Sequence, residues 1–395
     1  MRGVSSMADA LLTAEQRELQ QVAREFVAKH VIPISAEFDR TGEFPEFLVL
    51  EAKKAGILCL AIPKEYGGCG YSSLTQSLVI EEYAYGDLGV CTSLGGNGLS
   101  SYPVMIAGTD AQKRFYFTPL VEGGLGSFAL TEADAGSDAG SCKTVAQRVG
   151  DEYVLNGTKC FTTSGKYAKS LCIIASTSPG TGTKGLSAFL VEGGRKGLSV
   201  GSIEHKLGIR SSNTVELVLN DLHIPADHLL GKEGDGMNIA MKTLDMARSM
   251  NASQAVGLAR RAMDESIKYV RARYPGGKSR PSQAVQFKLA DMEIQIAAAR
   301  AMVRHTCSLK DAGFPYSKES AITKTLCADV AMRVTADMMA IMGRYGYSEE
   351  SAAQRLVRDA KIQQIYEGTN QIQRIVIARQ LLSEAERSSG VKAGE

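Results

Sequence analysis

The sequence predicts an α+β protein in which a helical first third, a central antiparallel β domain and a C-terminal helical bundle follow one another. Three observations carry that reading. Apolar residues recur with a helical period as far as Pro119, and the period changes near Ser127 to short runs separated by Gly, Pro, Ser and Thr. Long helical patterns resume after Gly234. No strand candidate is followed by a crossover helix, which argues against a doubly wound parallel sheet and for a compact antiparallel barrel or sandwich. The expected domains are residues 1–127, 128–234 and 235–395.

Taken in order, Thr13 announces the first helix, with Gln16 at the capping-box position and Leu19, Val22, Ala23, Phe26 and Val27 on one face. Pro33 interrupts it, and a second helix follows Pro45 until Gly56 stops it. Gly67-Gly68-Cys69-Gly70 reads as a turn, since no phosphate-loop lysine follows. Ser73 to Tyr85 returns to helix, and Asp110 is a candidate cap for the helix ending near Pro119. Strands are expected at Ser127–Thr131, Tyr153–Leu155, Leu171–Ala175, Leu186–Val191 and Val215–Leu219, with turns at Gly150-Asp151 and Asn156-Gly157. The C-terminal third predicts one helix from about Asn238 to Tyr269. A second follows Ser282, with Phe287, Ala290, Met292, Ile294 and Ala297 available for packing, and a third spans Glu319 to Ile341. Two more flank Tyr366.

Composition excludes several classes of function. A net charge of +2 over 395 residues makes no electrostatic case for nucleic acid or an anionic membrane. No apolar stretch is long enough to span a bilayer and no N-terminal signal segment is seen, so a soluble, cytoplasmic protein is expected. Met1 to Ser6 reads as a loose tail upstream of Met7. The eight cysteines are scattered and read as reduced, packed thiols, and the five histidines form no HExxH or HxH cluster, so no metal site is expected.

The stretch Tyr366-Glu367-Gly368-Thr369 breaks the helical pattern between two convincing helices. Gly368 permits a positive φ or a close backbone approach, and Thr369 can cap the helix that follows. The carboxylate of Glu367 is either a cap or ion-pair member, or a reactive group. Glu132 through Gly140 is either a polar loop or a cradle of backbone N–H groups. Phe161-Thr162-Thr163-Ser164-Gly165 offers an aromatic wall with hydroxyls at a strand end, or plain core packing. Asp245 and Arg248 share a helix face, as an intrahelical pair or as part of a site. Lys206 and Arg210 border Gly208, and Arg271, Arg273, Lys278 and Arg280 surround Pro275-Gly276-Gly277; each set suits a phosphate or an exposed connector.

The order and spelling of these stretches settle more than any one of them. Ala61-Ile62-Pro63-Lys64-Glu65-Tyr66-Gly67-Gly68, Leu130-Thr131-Glu132 with Gly136-Ser137-Asp138, and Lys206-Leu207-Gly208-Ile209-Arg210 come first. Leu244 to Arg248, Val285 to Met292, and Arg358-Asp359-Ala360 through Ile372-Gln373-Arg374 follow. Together they resemble the flavin-dependent acyl-CoA dehydrogenase family, closest to its short-chain branch, from about Thr13 to Leu382. The resemblance implies that family's three-part fold, an FAD cofactor, an acyl-CoA substrate, electron-transfer flavoprotein as partner and a homotetramer built as a dimer of dimers.

By the same resemblance Glu367 is the base that removes the α-proton, with a pKa raised by burial. Flavin contacts map onto Leu130, Thr131, Gly136, Ser137, Phe161, Thr163, Thr369 and Gln371. Tyr366 and Gly368 fall on the substrate side, and Asp245 and Arg248 match positions near the CoA moiety. Ala247 stands where the isovaleryl-type branch carries its base. The departures gather at the adenine and pyrophosphate end of FAD. Phe161 replaces the usual Trp, Ala272 and Pro275 replace the Arg and Phe of Arg-x-x-Phe-Gly, Ala340 replaces a Gln, and Arg344 replaces a Gly. Arg271 or Arg273 is the expected substitute cation. On the acyl side Gly95 stands where medium-chain members carry Glu, and Asn251 replaces an apolar residue. The expected substrate is therefore bulkier or more polar than butyryl-CoA: branched, cyclic, aryl-substituted or carboxylated. The alternatives are an oxygen-using oxidase, or a non-catalytic acyl-CoA-binding protein of the same fold.

Overall fold

The computed structural model describes residues 12–275 and 280–389. The Met1–Ser6 tail and the Gly276, Gly277 and Lys278 of the basic connector lie outside the described residues. Helix α1 (Ala14–Phe26) begins at Thr13 with the expected reciprocal bonds between Thr13 and Gln16. As expected it ends ahead of Pro33, its last turn widening into a π turn, Val27–Val31, closed by Ile32 N–H donating to Val27 O at 3.0 Å. A helix absent from the sequence reading, α2 (Ser35–Thr41), then ends at left-handed Gly42, and α3 (Phe47–Lys54) follows Pro45. Helices α4 (Ser73–Gly86), α5 (Leu88–Ala107) and α6 (Asp110–Val121) complete the first third. The cap of α6 is Thr109, boxed with Gln112; Asp110 sits in the first turn, where its charge suits the helix dipole.

The strands are β1 (Leu125–Ala129), β2 (Val145–Val149), β3 (Glu152–Thr163), β4 (Ala168–Ser176), β5 (Leu186–Glu192), β6 (Leu198–Ile203), β7 (Thr214–Pro225) and β8 (Leu229–Leu230). They form one sheet in the order β6-β7-β3-β2-β4-β5-β8, with β1 beside β4. Most pairs are antiparallel, but β4 takes both β1 and β2 as parallel neighbours. Asn156-Gly157 is not a turn. It lies inside β3 as a bulge between Leu155 and Gly157, where the Asn156 side chain accepts from Asp221 N at 2.8 Å. Alternation then divides the core. Leu171, Ile173, Phe189, Val191, Leu217 and Leu219 fill the interior of the β domain, while Cys172, Ile174, Ala188 and Leu190 face the helices.

Helices α7 (Gly236–Arg273), α8 (Gln283–Asp311), α9 (Ser317–Met342), α10 (Ala352–Ile362) and α11 (Asn370–Ser389) make the bundle. In α8 the packed side is Met292, Ile296, Ala299 and Val303. Of the residues read as available for packing, Met292 is in the core, whereas Phe287 and Ile294 are 59% and 64% exposed and share with Ala290 and Ala297 a stripe on another side. Periodicity identifies an apolar stripe; it does not say which of two stripes faces the molecule's own core. All eight cysteines are free thiols. No described helix is long and apolar enough to cross a membrane.

A buried ionic cluster joins the two helical parts. Glu81 of α4 accepts from Arg260 of α7 and Arg300 of α8, each at 2.8 Å, and Glu82 accepts from Arg24 of α1 and Arg260 at 3.0 Å. The helices are also close in backbone: a Cβ on Gly257 would stand 2.1 Å from the Glu81 carbonyl oxygen. Glu81→Ala removes the carboxylate shared by two buried guanidinium groups and is expected to lower stability by about 3 kcal/mol, read as a reduced denaturation midpoint in guanidinium chloride.

Candidate active site

The turn between α10 and α11 is backbone held in an unfavourable shape. Glu367 has φ 54° and Gly368 φ 91°, so two successive residues are left-handed, and only the second is glycine. Several donors fix this conformation. Lys324 Nζ, fully buried in α9, donates to Gly368 O at 2.8 Å and to Asn370 Oδ1 at 3.1 Å. Gln373 Nε2 donates to Gly368 O at 3.1 Å and to Glu367 O at 3.3 Å. Thr369 caps α11 as its sequence position suggests, its Oγ1 accepting from Ile372 N at 3.2 Å.

The turn directs the Glu367 side chain inward, where Oε2 is buried without a hydrogen-bond partner. Burial raises the Glu367 pKa from the usual 4.5 to about 7, against the downward pull of Lys324 and Arg248. Burial also lowers Lys324 to about 8, against the upward pull of Glu367. Arg248, itself buried, forms the expected intrahelical ion pair with Asp245. Beside them the Tyr366 hydroxyl donates to Gln254 Oε1 at 2.5 Å and accepts from Gln363 Nε2 at 2.9 Å. Gly95 of α5 brings that helix close, since a Cβ there would lie 3.8 Å from Gln254 Nε2. Asn251 lies one helical step from Arg248 and one from Gln254, fully buried.

The neighbouring glycine on α5, Gly96, points the other way: its Cβ would lie 4.0 Å from Thr163 Cγ2 at the end of β3. There Phe161 takes φ 53° at a bulge in the β3–β7 register and stays 62% exposed. The adjoining loop is anchored by Glu132, which accepts from Lys159 Nζ at 2.8 Å and from the backbone N–H groups of Lys143 and Thr144. Lys159 also holds Leu130 O at 3.0 Å, and Thr131 O accepts from Cys160 N at 2.8 Å. Gly136 and Ser137 are exposed, with open space where a Gly136 Cβ would project. An unshielded aromatic face beside an open loop of backbone donors fits a flat ring system carrying polar oxygens. Gln371 is exposed on the first turn of α11.

Arg273 lies elsewhere. It lines a cavity of about 690 Å³ with Ala340, Gly343, Arg344 and the stacked rings of Tyr269 and Tyr345, whose centroids are 5.4 Å apart. Of the altered positions noted in the sequence, Ala340 and Arg344 line this cavity and Phe161 and Ala272 do not; Arg271, exposed, is not among its lining residues either. Lys206 turns into its own loop, donating to Ser212 O at 2.9 Å, and Arg210 is exposed. Lys324, Gln254, Gln363 and Gln373 were not singled out from sequence. The signal for Lys324 was available: it shares its helical stripe with Ser320, Cys327, Ala328 and Ala331, all buried, where a lysine needs a reason.

Sequence profiles of the acyl-CoA dehydrogenase N-terminal, middle and C-terminal domains match residues 13–124, 127–222 and 234–382. The chain belongs to the acyl-CoA dehydrogenase family. It is 42% identical over 374 residues to the short-chain-specific acyl-CoA dehydrogenase of Clostridium acetobutylicum, covering 94% of this chain and 98% of that one. It is 43% identical over 378 residues to the acryloyl-CoA reductase (NADH) of Anaerotignum propionicum, covering 95% and 96%. The solved butyryl-CoA dehydrogenase of Megasphaera elsdenii superposes with a TM-score of 0.91 at 41% identity, over 94% of this chain and 99% of that one. The chain is accordingly an FAD-dependent oxidoreductase of the acyl-CoA dehydrogenase type.

The raised pKa of Glu367 has a consequence for stability. The folded carboxyl binds its proton more tightly than the unfolded one, so its contribution is full below pH 4.5 and is lost as pH rises through about 7. Glu367→Gln, neutral throughout, is expected to exceed the parent by about 2 kcal/mol more at pH 8 than at pH 4.5, in denaturant titrations at equal FAD occupancy.

Proposed function

We propose that Glu367 is the catalytic base for α,β-dehydrogenation of an acyl-CoA, yielding the trans-2-enoyl-CoA. The observation that carries the reading is a buried carboxylate oxygen with no partner, on a group that titrates at about 7. A thioester α-proton is weakly acidic, and a base poised near neutrality combines basicity with availability. Lys324 and Arg248 hold the anion within reach of its ionised form while burial keeps it basic. The Glu367 backbone N–H is the chain's own donor for the thioester oxygen, where negative charge develops. Bound FAD would accept the β-hydrogen as hydride at N5. Leu130, Thr131, Gly136, Ser137, Phe161, Thr163, Thr369 and Gln371 are the residues we assign to holding it, with Phe161 as the wall that excludes water from one ring face.

We assign the acyl group to the space bounded by Gly95, Asn251, Tyr366 and Gly368, and a short, branched, cyclic or aryl-substituted chain as its occupant. Asp245 and Arg248 stand on its CoA side. Arg273, with Arg344 beside it, is the favoured replacement cation at the far end of the cofactor; Arg271 is the weaker choice on its position. Electrons then leave through electron-transfer flavoprotein. A homotetramer accounts for the exposed Phe287 and Ile294 of α8, an apolar stripe that a single subunit leaves uncovered. The reductase among the relatives favours one further reading, the same site run backwards, with protonated Glu367 as the acid.

Anaerobic visible spectra of the FAD-loaded protein test this. Added acyl-CoA is expected to bleach the flavin, with a rate constant that falls as pH drops below about 7 because the base becomes protonated. Glu367→Gln should retain flavin and slow bleaching by about a thousandfold or more. Bleaching at the parent rate in that variant removes Glu367 from the chemistry.

A further inference from the structure

Asn251 is an amide in an unusual position. It is 0% exposed in the interior of α7, and neither its Oδ1 nor its Nδ2 has a hydrogen-bond partner. Asparagine is a poor helix former, and a buried amide without partners opposes folding, so packing alone gives no reason for it. Its direction follows from its neighbours on the helix. Arg248, three residues earlier, acts electrostatically on Glu367, and Gln254, three residues later, accepts from the Tyr366 hydroxyl. Residues at that spacing share a face, so Asn251 projects toward the Tyr366–Glu367 segment.

A second amide meets the same place from α10. Gln363 is fully buried, its Nε2 donates to Tyr366 at 2.9 Å, and its Oε1 has no partner. The Tyr366 hydroxyl and Gln254 Oε1 are already committed to one another. What Asn251 and Gln363 leave uncommitted is neutral, an amide donor and two amide acceptors; Glu367 Oε2 and Arg248 Nε are charged-group atoms nearby that also lack a partner. Arg248 is nevertheless charge-paired with Asp245 through Nη1, and Lys324 is engaged by the Gly368 carbonyl and Asn370.

We propose that Asn251 is a specificity-determining residue that hydrogen-bonds a neutral polar substituent of the acyl chain, so that the preferred substrate is a hydroxyl- or carbonyl-bearing short acyl-CoA. Gln363 Oε1 is the second acceptor available to that substituent. This deepens the dehydrogenase reading and rests on it. An apolar chain leaves the Asn251 amide unpaired in the complex as well, while a hydroxyl both donates to Oδ1 and accepts from Nδ2. A carboxylate would meet a guanidinium, that of Arg248, already charge-paired with Asp245. Sites built to pair a buried polar group discriminate far more sharply than pockets that only measure size.

The test compares 4-hydroxybutyryl-CoA with pentanoyl-CoA, which has the same number of heavy atoms, and with glutaryl-CoA, using FAD-loaded enzyme and an artificial acceptor. The expected kcat/KM favours the hydroxylated thioester by about tenfold or more, and Asn251→Leu, similar in volume, inverts that order. Asn251→Ser, kept in case leucine perturbs folding, retains a preference in the original direction. A parent enzyme that prefers pentanoyl-CoA or glutaryl-CoA overturns the proposal. So does an Asn251→Leu variant that changes the hydroxylated and pentanoyl thioesters by the same factor, since that is the mark of a structural residue. If some thioester bleaches the flavin, either failure leaves the dehydrogenase reading standing. A bound flavin that none of the three reduces withdraws that reading and this inference together.

Discussion

The bond from the Lys324 ammonium to the Gly368 carbonyl is the contact on which the candidate site depends. A non-glycine residue at φ 54° stays there only when its surroundings over-determine it, and the surroundings here are a cation from α9 and an amide from α11. The same ammonium reaches Asn370 at the start of α11, so one buried charge fixes both the shape of the turn and the entry of the helix after it. A lysine there also acts through space. It holds the Glu367 carboxyl below where burial alone would put it, and the carboxyl in turn keeps the lysine from losing its proton more easily still. Geometry and acidity are set by one group.

That economy extends through the bundle. Arg248 is balanced by Asp245, Lys159 by Glu132, and Arg260 and Arg300 by Glu81, so buried charge is paired wherever it serves the frame. The orphaned polar atoms beside Tyr366 behave differently: Glu367 Oε2, Gln363 Oε1 and both polar atoms of Asn251 are buried without partners. Hydrogen-bonding capacity withheld from the fold is capacity available to a ligand. Orphaned atoms occur elsewhere too, at Thr144 and Gln295 for example, but beside Tyr366 several meet around one carboxylate.

Much of this was legible in the sequence, and the failures have definite causes. The cap of α1, the extent of the long bundle helices and the polar turn at Tyr366 follow from local rules, because capping and helical period act over a few residues. Asn156-Gly157 was misread because the turn signal and the bulge signal are the same two residues; the partner strand decides, and Asp221 of β7 is 65 positions away. Phe287 and Ile294 were legible as a packing stripe but not as an exposed one, because amphipathicity does not say whether the covering surface belongs to the same chain. The motif led to Glu367, but the lysine that shapes its turn lies 44 positions before Gly368 on another helix, and no local pattern joins them.

The loop after β6 packs at backbone distance against α10, the helix that leads to Glu367. A Cβ on Gly208, in the loop after β6, would stand 2.3 Å from the carbonyl oxygen of Arg358, and Ile209 N donates to Asp359 Oδ1 at 2.5 Å. Arg358 returns the contact, its Nη1 donating to Leu207 O at 2.9 Å. On the other side, adjacent glycines of α5 let one helix touch both Thr163 and Gln254. Side chains can change rotamer to absorb a substitution; packed backbones cannot. Geometry that has to be kept to within a fraction of an ångström is therefore well carried by such close backbone contacts.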